Sequence, residues 1–259
     1  MDNFIILFLL AVIQGITEWL PVSSSGHLVL ASRIFGYPNS IEMDVAMHFG
    51  TLMAVFVYFG KDIVDIIEDI LKGKWKSSKA KTGWLILIGS IPAGIIGFAF
   101  EKYFEVAFGS LGIVALGFLI TAVILLIASL DFSAIRKKKD LSVFGALFVG
   151  CAQALAIFPG ISRSGSTISA GLLSGLTEKE AMRFSFLLSI PAIFGASLVT
   201  IGNRTLPSEM LWATLVSFFV GMASIHLLLK VLLTSKKNLR WFALYVLLLA
   251  LGIGIYLFL

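Results

Sequence analysis

The sequence predicts an all-α integral membrane protein: a single membrane domain over residues 1–259, built as an inverted repeat in which each half is a re-entrant helix hairpin plus three transmembrane helices. Three observations predict it. Hydrophobic residues make up 58% of the chain against 14% charged, with a mean hydropathy of +0.99, where a soluble domain holds roughly 45–50% apolar residues. Six stretches are apolar enough to cross a hydrocarbon core roughly 30 Å thick, and two more are apolar at both ends but broken in the middle by proline, glycine and serine. The two halves of the chain also resemble each other around those breaks.

In chain order, the first broken stretch covers residues 4–36 and is interrupted at Leu20-Pro21-Val22-Ser23-Ser24-Ser25-Gly26-His27. No positive n-region or small-x-small cleavage site precedes Pro21, so a removable signal peptide is not expected. Spans follow at about 43–60, with a possible extension to 71, then 83–101 and 110–130. The second broken stretch, 141–176, is interrupted at Phe158-Pro159-Gly160-Ile161-Ser162-Arg163-Ser164-Gly165, and spans at 184–202, 210–233 and 240–258 complete the chain. Irregular backbone at membrane depth is tolerated only where protein or a watery cavity satisfies its polar groups. Both broken stretches therefore read as hairpins that enter and leave on one side.

Setting Gln14 against Gln153 brings Ser23-Ser24-Ser25-Gly26 onto Ser162-Arg163-Ser164-Gly165, and a four-residue gap later Ala46-Met47-His48-Phe49 onto Ala181-Met182-Arg183-Phe184. The repeats cover about 1–130 and 141–259. Three crossings per repeat invert the second copy, and such repeats place their site at the interface near the midplane. Threading the spans puts Lys72, Lys74, Lys76, Lys79, Lys81, Arg136 to Lys139, Lys179, Arg183, Lys230, Lys236, Lys237 and Arg240 on one side, and only Arg33, Lys102 and Arg204 on the other. The positive-inside rule then makes the basic side cytoplasmic and places both termini outside. The net charge of +5 is explained by this asymmetry, and no interleaved aromatic pattern points to nucleic acid. The single cysteine, Cys151, excludes an intrachain disulfide and reads as a small buried apolar residue.

Ionisable groups within apolar segments are costly and mark candidate sites. Gln14 and Glu18 share one helix face just before Pro21. A carboxylate there can hold a divalent cation, work as a general base, or pair with an arginine. The serines after Pro21 cap a helix whose free N–H groups suit an anion, and His27 can carry a proton or attack phosphorus. The second break repeats the device around Arg163, whose planar fork suits phosphate; it is expected to hold phosphate rather than serve only as Glu18's ion-pair partner. His48 and His226 are weaker candidates, read as packing or interhelical hydrogen bonding, and Asp62, Asp65, Glu68 and Asp69 as a solvated face.

At these residues the chain resembles the undecaprenyl-diphosphate phosphatases, the bacitracin-resistance family of membrane enzymes. Gln14 to His27 resembles the family's first motif, Pro159 to Thr167 its second, and Phe184 to Ala192 a further stretch. The resemblance implies removal of the terminal phosphate from a polyprenyl diphosphate, in a plasma-membrane site open to the outer face and dependent on Mg²⁺ or Ca²⁺. It implies Glu18, Ser24, His27 and Arg163 as the catalytic group, with Glu18 on the metal, and Gln14, Ser23, Ser25, Gly26, Ser162, Ser164, Gly165, Ser166 and Thr167 around the substrate. Many members carry glutamate where this chain has Gln14, which argues against a two-carboxylate metal site. The other large lipid-phosphatase family needs a His-x-x-x-Asp motif after the arginine, and none follows Arg163. Expected partners are the lipid substrate, the bilayer and a second copy of the chain as a homodimer. The rival function is a lipid-phosphate transporter or flippase, since inverted repeats with broken helices also build transporters.

Overall fold

A computed structural model describes residues 3–37, 41–130, 140–201 and 209–259. Within the basic loop at 131–140, only Asp140 falls among them, and Arg204 lies outside them. The described residues form twelve α-helices: α1 (Asn3–Trp19), α2 (Ser24–Phe35), α3 (Ile41–Tyr58), α4 (Gly60–Leu71), α5 (Ser78–Ala99), α6 (Glu101–Phe108), α7 (Leu111–Ser129), α8 (Val143–Leu155), α9 (Arg163–Leu173), α10 (Glu178–Ile201), α11 (Glu209–Thr234) and α12 (Leu239–Phe258). Phe98, Phe144 and Phe258 are more than four-fifths exposed, a pattern that suits a protein whose solvent is hydrocarbon. The chain is an all-α integral membrane protein.

Among the described residues, five helical segments are long and apolar enough to cross a membrane: Ser78–Ala99, Leu111–Ser129, Glu178–Leu198, Met210–Thr234 and Lys236–Phe258. The remaining expected span, 43–60, is a shorter apolar helix, Met43–Tyr58 within α3, and the possible extension to 71 does not occur. The chain breaks at Phe59, and α4 restarts as an amphipathic helix with only Ile66 buried. The spans at α5 and α10 begin several residues before the hydropathy reading placed them. Their first turns are polar, and Ser77 caps α5 through a hydrogen bond from Ala80 N.

Both broken stretches are helix–turn–helix units, α1–α2 and α8–α9. Each first helix leans on a helix from the other half of the chain, α1 on α11 and α8 on α5, while α7 lies along α12. Small residues allow the approach: a Cβ on Gly15 would meet Val220 of α11 at 2.6 Å, and one on Gly150 would meet the Gly89 carbonyl of α5 at 2.2 Å. Cys151, next to Gly150, is exposed rather than buried. In lipid, an outward-facing apolar side chain loses nothing by not being in the core.

At the end carrying the 72–81 lysines, Glu68 pairs with Lys72 and Asp69 with Lys74 on the surface, as expected. Asp62 is not merely solvated. It accepts from Arg183 Nη2 and Nε at 2.7 and 3.0 Å and from Lys79 at 2.7 Å, tying α4 to α5 and α10. Burial pushes its carboxyl up, but the hydrogen bonds from Lys79 and Arg183 outweigh this and hold it below the ordinary carboxylate range. A depressed folded-state value stabilises the fold above the unfolded carboxylate's range, and that stability is lost as pH falls through the folded value. Asp62→Asn should therefore lower thermal stability at neutral pH, by about 1.5–3 kcal/mol for bonds to charged groups, and the gap to the parent should close on acidification. Melting curves against pH check this.

Candidate active site

The first break is built for close approach. α1 ends at Trp19, which is fully buried, and Val22 N closes a turn onto Leu20 O at 2.7 Å. Ser23 then takes φ 68° and ψ 99°, and no other non-glycine described residue has positive φ. Its carbonyl, turned back by that conformation, lies 2.7 Å from His27 Nδ1. The chain accepts strain of about 1–3 kcal/mol at one residue, and the His27 ring is fixed with its Nδ1–H donating. Ser23→Gly should relieve the strain at the cost of a weak cap, whose hydrogen bond from Gly26 N is 3.4 Å long. It should melt at or above the parent, and Ser23→Ala below it.

Gly26 lies where the two breaks cross: a Cβ there would sit 2.5 Å from the Phe118 ring and 3.1 Å from the Gly160 Cα. Gly160, at φ +88°, is pressed against α7, where a Cβ would meet Val114 O at 2.3 Å. Thr121 of α7 fastens this second turn, donating to Gly160 O and accepting from Ser162 N, each at 2.9 Å. Ser162 caps α9 by accepting from Gly165 N at 3.0 Å, and Ser164 donates to Leu20 O of the first break at 3.0 Å. Two segments some 140 residues apart are thus joined backbone to side chain.

Their meeting point is Glu18, buried at 7% exposure. Its Oε1 takes Arg163 Nη2 at 2.5 Å. Its Oε2 takes Ser24 Oγ at 2.6 Å and Gln14 Nε2 at 3.1 Å, and lies 3.4 Å from His48 Nε2. The Arg163 guanidinium also lies over the Trp19 ring, 4.9 Å from its centroid. Its Nη1 is buried without a partner, so one arm of the fork is engaged and the other is free. The Arg163–Glu18 ion pair that the sequence reading subordinated to phosphate binding is present, and it leaves a donor for phosphate.

The remaining expected residues divide. Ser23 and Ser25 hydroxyls lie 3.2 Å apart at the start of α2, and Ser162 and Ser164 hydroxyls 3.3 Å apart at the start of α9. Gly165 packs on Ser162 and Leu125, and Thr167 spends its hydroxyl on Arg163 O and Ser185 of α10. Ser166 Oγ is buried with no partner. His226 bonds Tyr58 between helices, as expected.

His48, a weaker candidate from sequence, completes the surroundings with Asp44 and Tyr245, which sequence did not single out. His48 Nδ1 lies 2.7 Å from Asp44 O while Nε2 faces the Glu18 carboxylate. The one signal for it was its alignment with Arg183. Tyr245 Oη lies 2.8 Å from His27 Nε2. Among the described residues no group of three or more His, Cys, Asp or Glu side chains can hold a metal. Two buried oxygens without partners, Gln14 Oε1 and Asp44 Oδ1, stand on the same two helices as Glu18 and His48.

This arrangement can deprotonate a hydroxyl and hold an anion. Ser24 is a hydroxyl on a carboxylate at a helix start, opposite a guanidinium with a free arm. Residues 7–252 match the family described as "Bacitracin resistance protein BacA". The chain is 42% identical over 243 residues to an undecaprenyl-diphosphatase of Korarchaeum cryptofilum, covering 89% of this chain and 91% of that one. It is 40% identical over 242 residues to one of Methanosphaera stadtmanae (86% and 88% covered) and 39% over 240 residues to one of Thermosipho melanesiensis (92% and 93%).

Proposed function

Because the chain belongs to the bacitracin resistance protein BacA family, we propose that it hydrolyses undecaprenyl diphosphate to undecaprenyl monophosphate and phosphate, at the junction of its two helix breaks. The observation that carries this is the convergence on Glu18 of Arg163 at 2.5 Å and Ser24 at 2.6 Å, each from a different broken stretch.

The diphosphate head lies at the starts of α2 and α9, with Arg163 Nη1 and free backbone N–H groups on its terminal phosphate. Glu18 accepts the Ser24 proton as Oγ bonds to the terminal phosphorus. The bond from that phosphorus to the bridging oxygen breaks, and its electron pair leaves on the undecaprenyl monophosphate. Water then attacks the phosphoserine; the proton on Glu18 returns to Oγ, phosphate departs, and the water's proton goes to solvent. Positioning and charge neutralisation supply most of the acceleration, as in phosphoryl transfer generally. His27 and His48 flank this step as proton carriers.

Arg163, Ser24, Gln14 and His48 already surround the Glu18 carboxylate and leave it little room for a metal. The unpartnered oxygens Gln14 Oε1 and Asp44 Oδ1 would be the ones to hold an Mg²⁺ or Ca²⁺ ion, which would supply further neutralisation of the diphosphate. The matched pairing of α1 with α11 and α8 with α5 supports the inverted repeat. The Asp62, Lys79 and Arg183 cluster beside the 72–81 lysines supports a basic cytoplasmic end, with the site open outward in the plasma membrane. A homodimer stays part of the proposal and is read from the mass of the purified protein in detergent.

Purified protein in detergent, with no membrane and no gradient, should release one phosphate per undecaprenyl diphosphate and leave the monophosphate. Intact substrate after prolonged incubation, with lipid movement in vesicles, would assign the fold to transport instead.

A further inference from the structure

His27 closes the site on its α12 side. Its ring stacks on Tyr245, with centroids 5.6 Å apart and planes 15° apart, and Nε2 lies 2.8 Å from the Tyr245 hydroxyl. Phe118 of α7 meets the imidazole edge-on at 5.4 Å. Tyr245 itself is 46% exposed, in a row with Trp241, Leu244 and Leu248, all exposed. That row belongs to the span Lys236–Phe258, and an exposed apolar row on a span suits lipid. One aromatic ring therefore stands between the imidazole and the bilayer.

Among the described residues, α2 packs chiefly on α1 and α7, and α12 on α7; Val29 of α2 and Val246 and Ala250 of α12 join one apolar cluster around Phe118, and the His27–Tyr245 contact bridges the two helices beside it. The proposed substrate has a polar head that must reach the buried Glu18 and an apolar chain far too long for the interior. A chain fixed to a buried head has to leave through the wall, and it stays in hydrocarbon only if it leaves sideways.

Resting on the diphosphatase reading, we propose that Tyr245 is the lateral gate of the site: its ring fills the gap between α2 and α12 through which the polyprenyl chain passes. The hydroxyl holds His27 Nε2 while the gap is closed. When the chain enters, the Tyr245 ring swings toward lipid and leaves His27 Nε2 free for the head group. Tyr245 is thus a specificity-determining residue for a membrane-embedded chain, separate from its hydroxyl's effect on His27.

The ring and the hydroxyl can be tested apart. Purified parent, Tyr245→Phe and Tyr245→Trp are assayed for phosphate release from undecaprenyl diphosphate and from a water-soluble diphosphate bearing one isoprene unit. The short substrate needs no lateral passage, and its turnover also reports that each variant is folded. Tyr245→Phe keeps the ring, so kcat/KM for both substrates should fall together and their ratio hold. Tyr245→Trp overfills the gap, so the ratio of long to short should fall by about tenfold or more, the scale of a misfitting apolar contact. A ratio unchanged in Tyr245→Trp, or lowered equally by Tyr245→Phe, would overturn the gate while leaving the diphosphatase reading intact. A parent protein that releases phosphate from neither substrate would remove that reading, and the gate with it.

Discussion

Arg163→Ala should reduce phosphate release by about 10²-fold or more, the cost of deleting a donor to a charge that develops in the transition state. The proposed site gives the guanidinium two jobs at once. Nη2 holds Glu18 and Nη1 is buried and unpartnered, so a single ammonium cannot replace both arms, and Arg163→Lys should lose nearly as much. Stability separates the two jobs. Breaking a buried ion pair typically costs about 3–5 kcal/mol, but Glu18 would keep Gln14, Ser24 and His48 around it, so the loss should fall below that range. Adding Glu18→Gln to Arg163→Ala should recover stability without recovering activity. Melting temperature in detergent and phosphate release on the same samples measure both. A stable Arg163→Ala protein with activity near that of the parent would end the role assigned to this residue.

Ser24→Ala should cost about 10³-fold or more, because it removes the atom that bonds to phosphorus while the binding groups stay. Glu18→Gln should cost a similar factor, since an amide cannot take the serine proton. Because the two residues act as one unit, the double variant should be barely worse than either single one. Steady-state kinetics of the three variants provide the cycle. Multiplying losses would mean that serine and carboxylate work independently, and that Ser24 only caps or binds.

The meeting of Glu18 with Arg163 was legible in the sequence because both sit beside Pro/Gly/Ser breaks that have no place in lipid unless they face each other. The capping serines were legible for the same reason. Tyr245 was not, and His48 only as a weaker candidate: a histidine at the start of a span and a tyrosine in an apolar helix carry little local mark, and their meaning lies in partners 30 and 218 residues away. The break at Phe59 escaped a hydropathy reading because the apolar residues of α4 continue beyond it. Only their amphipathic spacing, with Lys61, Asp62, Asp65, Glu68 and Asp69 between them, sets α4 apart. Thr121 was invisible because it works by a hydrogen bond to a turn 39 residues on. Cys151 shows the opposite failure, in which apolar character was taken to mean burial although the solvent is itself apolar.

The central claim is that Ser24, poised on Glu18 at 2.6 Å, takes the phosphoryl group before water does. Each in-line displacement inverts the configuration at phosphorus, so the stereochemical course counts the steps. The measurement is hydrolysis of undecaprenyl diphosphate made chiral at its terminal phosphorus with sulfur and an oxygen isotope, in water carrying another isotope, followed by the configuration of the released thiophosphate. Retention, from two displacements through the phosphoserine, is the result the account predicts; inversion, from one direct attack by water, would contradict it.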